Sequence, residues 1–294
     1  MKNFILSCCS TVDLTEEHLK KLDVNYVCFH FSLNGKQYDD DLGKTISYEE
    51  FYNALKSGAE TKTSQVNVSE FINYFTPFLE EGLDILHISL SSGISGAYNS
   101  AVIAKEELSA KYPERKIYIV DSLCASSGYG LLMDKVASLR DEGKTIEEIY
   151  NWANENKLKL HHWFFSTDLS YFVKGGRISK TAGFIGSILK ICPLLNMNSQ
   201  GKLIPIAKPR SKEKAMEELL KRMQDNATGG LEYNEKCYIC HSDCLDDAKK
   251  VASLIENKFK KLKGKVLINS IGTTIGSHSG PGTVAIFFWG KDRG

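Results

Sequence analysis

Long apolar runs are missing from this sequence. No stretch approaches the ~20 consecutive residues that a membrane-spanning helix needs, which argues against integral membrane association. Net charge is missing too. The 37 Lys and Arg stand against 36 Asp and Glu, a formal +1, so no global field draws the chain to nucleic acid or to an anionic membrane. The opening MKNFILSCC carries one Lys and three apolar residues before Ser7, too few for the apolar core of a secretory signal. Nucleotide signatures are absent: there is no G-x-x-x-x-G-K-[ST], and no G-x-G-x-x-G follows the strand-like run LDILHISL. No internal repeat, low-complexity segment or disordered tail is visible.

What is present suits a two-domain α/β protein. The chain has 294 residues, 42% of them hydrophobic, enough for two cores. Several of its eight cysteines sit inside apolar strand-like runs, NYVCFHF and KCYIC. There a free thiol acts as a small hydrophobe, so the expectation is a reduced, cytoplasmic protein and not a disulfide scaffold. In the first half strand-like and helix-like runs alternate. NFILSCC is followed by LTEEHLKKL, LDILHISL by AYNSAVIAKEELSA, and KIYIVDS by GLLMDKVASLRDEG. This pattern implies a mainly parallel sheet with crossover helices. Ser47 with Glu50, and Asn67 with Glu70, have capping-box spacing at two helix starts. NYVCFHFSL reads as one strand. Beyond TIEEIYNWANENK the pattern changes to a mixed α/β arrangement, with PLLNMN, NSQG and KLIPIAK as a hairpin. The expected domains are 1–155 and 156–294.

Four stretches are candidates for chemistry. SSGISGA (91–97) follows a strand and opens a helix. Gly93 and Gly96 allow close approach of backbone, and Ser91, Ser92 and Ser95 supply hydroxyls. It is either an anion cradle at a helix N-terminus or an ordinary βα turn. Gly93-Ile94-Ser95-Gly96-Ala97 misses the last glycine of a nucleophile elbow. TKTSQVN (61–67) reads as a polar loop whose Thr63 and Ser64 either meet the same anion or make turn and cap bonds. VKGGRISK and AKPRSKEK present Arg177 and Arg210, which suit phosphate or carboxylate, although solvated basic loops look the same. IGSHSGPG encloses His278 in a loop between glycines. AGFIGSILK puts Phe184, Ile185, Ile188 and Leu189 on one helical face beside small residues, either for packing or to line a tunnel for a long apolar ligand. Cys237, Cys240, His241 and Cys244 lie close in sequence, but residues three apart on a strand point to opposite faces, so no metal site is expected.

Taken in order, the opening STVDL, TSQ, SSGISGAYNSA, VDSLCASSGYG, KGGRIS, ICPLL, GKLIPIAKPR and IGSHSGPG resemble the DegV family of bacterial lipid-binding proteins, over nearly the whole chain. The resemblance implies two α/β domains with a long-chain fatty acid between them. It implies an acyl chain in an apolar tunnel and a carboxylate met by the hydroxyls of Thr63 and Ser95, with Ser92, the Gly96 N–H and His278 alongside. In family members that work with a fatty-acid kinase, two arginines and a histidine near the carboxylate end are required; the matching residues are Arg177, Arg210 and His278. The kinase makes the acyl phosphate, and the protein presents the substrate without catalysis or cofactor of its own. Three positions depart from the family pattern: Cys9 stands for Asp in Asp-Ser-Thr, Val66 for Pro in TSQP, and Ala97 for Thr in SGTY. Two rivals are set against this reading. One is a serine hydrolase using Ser95 and His278, with Asp121 as the acid. The other is a binding protein for a phosphorylated small molecule, held by Arg177 and Arg210.

Overall fold

The computed structural model describes residues 3–179 and 191–294. The expected tunnel residues Phe184, Ile185, Ile188 and Leu189 lie outside the described residues.

The apolar runs of the first half become a four-stranded parallel sheet. Its strands are β1 (Phe4–Cys9), β2 (Val24–Val27), β6 (Asp84–Ser89) and β7 (Ile117–Asp121), in the order β2-β1-β6-β7. Such runs, without alternation, suit strands covered on both faces. One cover is made by α3 (Val68–Glu80) and α4 (Ala97–Lys111), whose buried Phe71, Phe75, Ala101 and Ala104 recur at helical spacing. The two capping boxes differ. At α3 both halves form: Asn67 accepts from Glu70 N–H, and Glu70 accepts from Asn67 N–H. At α2 (Tyr48–Lys56) only Ser47 accepts, from Glu50 N–H.

The second half builds a six-stranded mixed sheet from β8 (Leu160–Ser166), β9 (Leu194–Met197), β10 (Leu203–Ala207), β11 (Tyr238–His241), β12 (Leu267–Ser270) and β13 (Thr283–Trp289), in the order β10-β9-β8-β13-β11-β12. The hairpin at NSQG forms as β9–β10. Helices α8 (Lys212–Asn226) and α9 (Leu245–Lys258) cover one face. Cys237 packs in the core under these helices, and Cys240 in the core on the opposite face.

Between the two sheets lies α5 (Ser126–Asp141), with thirteen of its sixteen residues buried. A helix wrapped by sheets needs apolar or small residues all round, hence SSGYGLLM. A Cβ on Gly128 would collide with the His162 ring and come within 2.5 Å of Phe287, while one on Gly130 would sit 2.9 Å from Leu14. Tyr129 Oη accepts from Cys9 N–H at 2.7 Å and donates to Ile88 O at 2.9 Å. Leu6, Ile88 and Val120 of the parallel sheet thereby share a core with Phe164, Cys240 and Phe287 of the mixed one. Gly128→Ala is therefore expected to cost about 1–3 kcal/mol of stability through overpacking, read as a lower urea midpoint; an unchanged midpoint would show that the wedge yields.

Three sequence readings need correction. NYVCFHFSL is two strands, β2 and β3 (His30–Leu33), in different sheets. The polar stretch TKTS is a strand, β5 (Thr61–Ser64), pairing with β3, which also pairs with β4 (Lys36–Asp39). Its β-branched threonines alternate, half-buried, with exposed Lys62 and Ser64. His278 lies in a short helix, α10 (Thr273–Ser279), which ends at Gly280 with φ +62°. The remaining α-helices among the described residues are α1 (Glu16–Lys21), α6 (Ile146–Asn156) and α7 (Ser170–Lys174). Among the described residues no helix is long and apolar enough to cross a membrane.

Candidate functional site

The Ser/Gly loop leaves the C-terminal end of β6 and enters α4, the edge of a parallel sheet where ligands bind in open α/β folds. Gly96 is the N-cap of α4 and brings no side-chain cap. Ser95 Oγ accepts from Ala97 N–H at 3.2 Å, which leaves the Ser95 hydroxyl hydrogen free to donate. Helix-start amides have no intrahelical acceptors, so the loop offers donors and no fixed negative charge. A Cβ on Gly96 would lie 2.6 Å from Gln65 Oε1, and Gln65 Nε2 donates to Ser100 Oγ at 3.0 Å. The TSQ segment is thus packed across the start of α4.

The two threonines of β5 share one face, as strand alternation requires, and both meet α10. Thr61 Oγ1 lies 2.7 Å from Ser277 Oγ, and Thr63 Oγ1 lies 2.7 Å from His278 Nε2. Arg177 Nη1 approaches His278 Nδ1 at 3.4 Å. A guanidinium only donates, so Nδ1 is the acceptor and the ring proton sits on Nε2. His278 then donates to Thr63 Oγ1, which frees the Thr63 hydroxyl hydrogen for another acceptor. Burial, and then the neighbouring Arg177 charge, push His278 down to about 4, so the ring is neutral at neutral pH. Arg177 is itself held by Ile94 O (3.2 Å) and Gly175 O (2.7 Å), with burial lowering its pKa. Gly175 is needed here, because a Cβ would collide with His278 Nδ1.

Thr63, Ser95, Gly96, Arg177 and His278 line a single cavity of about 620 Å³, within the range of ligand pockets. Apart from these residues its walls are mainly apolar: Phe29, Leu90, Ile94, Phe164, Phe172, Met197, Leu203, Ile271, Ile275, Ala285 and Phe287. Of the further polar groups on the wall, His162 and Ser126 are satisfied by the protein, whereas Thr274 Oγ1 is buried without a hydrogen-bond partner among the described residues. His162 takes Ala125 N–H at 3.2 Å on Nε2 and faces Leu160 O with Nδ1. Ser126 Oγ donates to the buried Asp13 carboxylate.

The structure leaves Ser92 and Arg210 outside the cavity wall. Ser92 is exposed, and its N–H donates to Asp121 Oδ1 at 3.1 Å. Arg210 is exposed on the segment between β10 and α8. Neither rival site is assembled. Both His278 nitrogens are engaged by Thr63 and Arg177, and Asp121 accepts from Ser92 and Leu123 N–H, so Asp121, His278 and Ser95 form no relay. Arg177 and Arg210 do not share the cavity.

The apolar wall is what sequence reading missed. Its signal lies in HHWFFS and TVAIFFW, paired as β8 and β13 with Phe164 opposite Ala285 and His162 opposite Phe287. Residues 162, 164, 285 and 287 face the cavity, while Trp163, Phe165, Ile286 and Phe288 pack on the opposite face. Continuous apolar runs hide that period of two. The three family departures, Cys9, Val66 and Ala97, are all fully buried in the core beneath α3 and α4, where they act as packing residues.

Residues 9–291 match the profile described as "Uncharacterised protein, DegV family". A DegV domain-containing protein of Clostridium perfringens is 40% identical over 293 residues, covering 100% of this chain and 99% of the relative. A protein of Thermotoga maritima named "Fatty acid-binding protein" is 30% identical over 280 residues, 95% of this chain and 94% of that one. Among solved structures, a DegV lipid-binding protein from Thermotoga maritima aligns with TM-score 0.86 and 28% identity, over 100% of both chains. A DegV family protein from Thermus thermophilus, described for its fatty-acid binding, aligns with TM-score 0.87 and 26% identity, over 98% of this chain and 100% of that one. The sequence motifs, the two sheets with their shared core, and these matches agree: the chain belongs to the DegV family.

Proposed function

We propose that this protein binds a long-chain fatty acid, carboxylate at the Thr63–Ser95 end of the cavity and acyl chain among the apolar walls, and presents it to a fatty-acid kinase. One observation carries the reading: two hydroxyls with free hydrogens and a helix-start amide, backed by Arg177 and His278, converge at a cavity that is otherwise mainly apolar. A buried carboxylate needs such donors, because an unpaired charge there is costly. His278 serves through Thr63, holding that hydroxyl as a donor. Ser92 drops out of the headgroup set. The exposed Arg210 is left for the kinase, and Arg177, which reaches from the headgroup to the loop carbonyl of Ile94, serves both. Each buried methylene contributes about 0.8 kcal/mol, so the chain supplies most of the affinity and the headgroup sets orientation. The relatives named for lipid and fatty-acid binding support the same ligand class. The reading calls for no cofactor and no catalysis by this chain. It takes 1–155 and 156–294 as the units that flank the ligand, in the cytoplasm.

Protein purified under gentle conditions is expected to carry a long-chain fatty acid, seen by native mass spectrometry as an added acyl mass. Apo protein that also takes up no added fatty acid would sink the proposal.

A further inference from the structure

The hairpin of β9 and β10 meets both the apolar cavity and the loop that carries Ser95. Its first cross-strand pair, Met197 and Leu203, lines the apolar cavity. Its turn, Asn198–Gly201, lies against the Ser/Gly loop that carries Ser95. Ser91 is fully buried and donates from Oγ to Gly201 O at 2.8 Å, while accepting from Gly93 N–H at 3.1 Å. Ser95 N–H in turn donates to Ser91 O at 3.1 Å. The fit leaves no slack. A Cβ on Gly93 would come within 2.5 Å of the Gln200 and Gly201 carbonyl oxygens, and one on Gly201, where φ is +66°, would collide with Ser91 Oγ. The turn is braced internally by Asn198 Oδ1, which accepts from Gln200 and Lys202 N–H at 3.0 and 2.9 Å. From outside, Arg293 clamps it to the β7–α5 loop, donating to Asn198 O at 2.6 Å and to Leu123 O at 2.7 Å.

We propose that the β9–β10 hairpin couples acyl-chain occupancy to carboxylate recognition, with Ser91 as the positioning residue that transmits it. A chain that reaches Met197 and Leu203 restrains the hairpin one residue from its turn. The restrained turn then holds the Ser91–Gly93 segment, and with it Ser95 and the start of α4, in the donor geometry. Coupling of this kind is reciprocal, so a bound carboxylate also tightens the grip on the chain. The inference rests on the fatty-acid reading above.

The test compares Kd for octadecanoic and decanoic acids with Kd for the two matching alcohols, in wild type, Ser91→Ala and Met197→Ala. In wild type the preference for acid over alcohol is expected to be about tenfold larger for the long pair, equivalent to roughly 1.4 kcal/mol. Ser91→Ala, which removes one buried hydrogen bond, should bring the long-pair preference down to that of the short pair. Met197→Ala should erase the growth with chain length; it decides the matter alone if Ser91→Ala does not fold. A wild type whose preference is equal for both lengths overturns the coupling and leaves fatty-acid binding standing. So does a folded Ser91→Ala or Met197→Ala that keeps the growth. A wild type that binds neither acid removes both readings together.

Discussion

Thr63→Val is expected to weaken long-chain fatty-acid binding by roughly 10–100-fold, read by calorimetric titration or displacement of a fluorescent fatty acid, while the matching alcohol loses far less. Valine keeps the shape of threonine and the β propensity of β5. It removes one oxygen that accepts from His278 Nε2 at 2.7 Å and, in the proposed binding mode, donates its hydrogen to the carboxylate. A hydrogen bond to a charged group contributes about 1.5–3 kcal/mol, which sets the range through roughly 1.4 kcal/mol per tenfold. The half-buried His278 N–H, left without its acceptor, adds to the loss. An acid affinity that stays level in Thr63→Val, with the fold intact, would remove Thr63 from the headgroup site.

The second large effect is loss of stability in mild acid. Burial pushes His87 down to about 3 and His161 and His278 down to about 4, and His162 well below the ordinary imidazole value. Between those values and about 6.5 the unfolded chain takes up protons that the folded chain refuses. Stability is therefore complete above about pH 6.5 and falls as pH drops towards 4, by up to about 1.4 kcal/mol per pH unit for each group. Two buried carboxyls work the other way. Burial raises Asp13 and Asp40, so the folded chain protonates them before the unfolded chain does, which returns part of the loss. Four imidazoles outweigh two carboxyls, and urea midpoints should fall from pH 7 to pH 5. His87 isolates one share. It sits edge-on to Phe71 and Phe75, with ring centroids 5.2 and 5.5 Å away, and its Nδ1 bonds Ser7 Oγ at 2.9 Å; His87→Phe leaves that hydroxyl to Tyr74 and should flatten the acid slope by about one proton. An equal slope in wild type and variant would show that His87 is protonated in the folded state.

These effects depend on placements that the sequence signals unequally. FILSCC, LDILHIS and IYIVD declare buried parallel strands because mainly apolar runs without strict alternation suit strands covered on both faces. The hairpin declares itself through NSQG, and α3 through the spacing of Asn67 and Glu70, because turns and caps are local chemistry. TKTS does not declare itself. Alone it is a polar segment, and it is a strand only because β3 offers it a partner some 28 to 34 residues away in sequence. His278 reads as a loop residue among glycines, yet Gly272 and Gly280 bound a helical turn that aims its ring at Thr63.

By itself, then, the sequence determined the α/β class, the alternation of strands and helices in much of the first half and, through ordered motifs, the family. Those are properties of local pattern. Tertiary structure alone decided which polar residues meet: Thr63, Arg177 and His278 in one chain of donors, Ser91 against Gly201, and Ser92 and Arg210 elsewhere. It also decided that α5 fuses the two sheets into a shared core, and that every second residue of β8 and β13 faces a cavity. The reason is physical. A side chain's hydrogen-bond partners and its burial are fixed by residues distant in sequence, and no local periodicity encodes their distance in space.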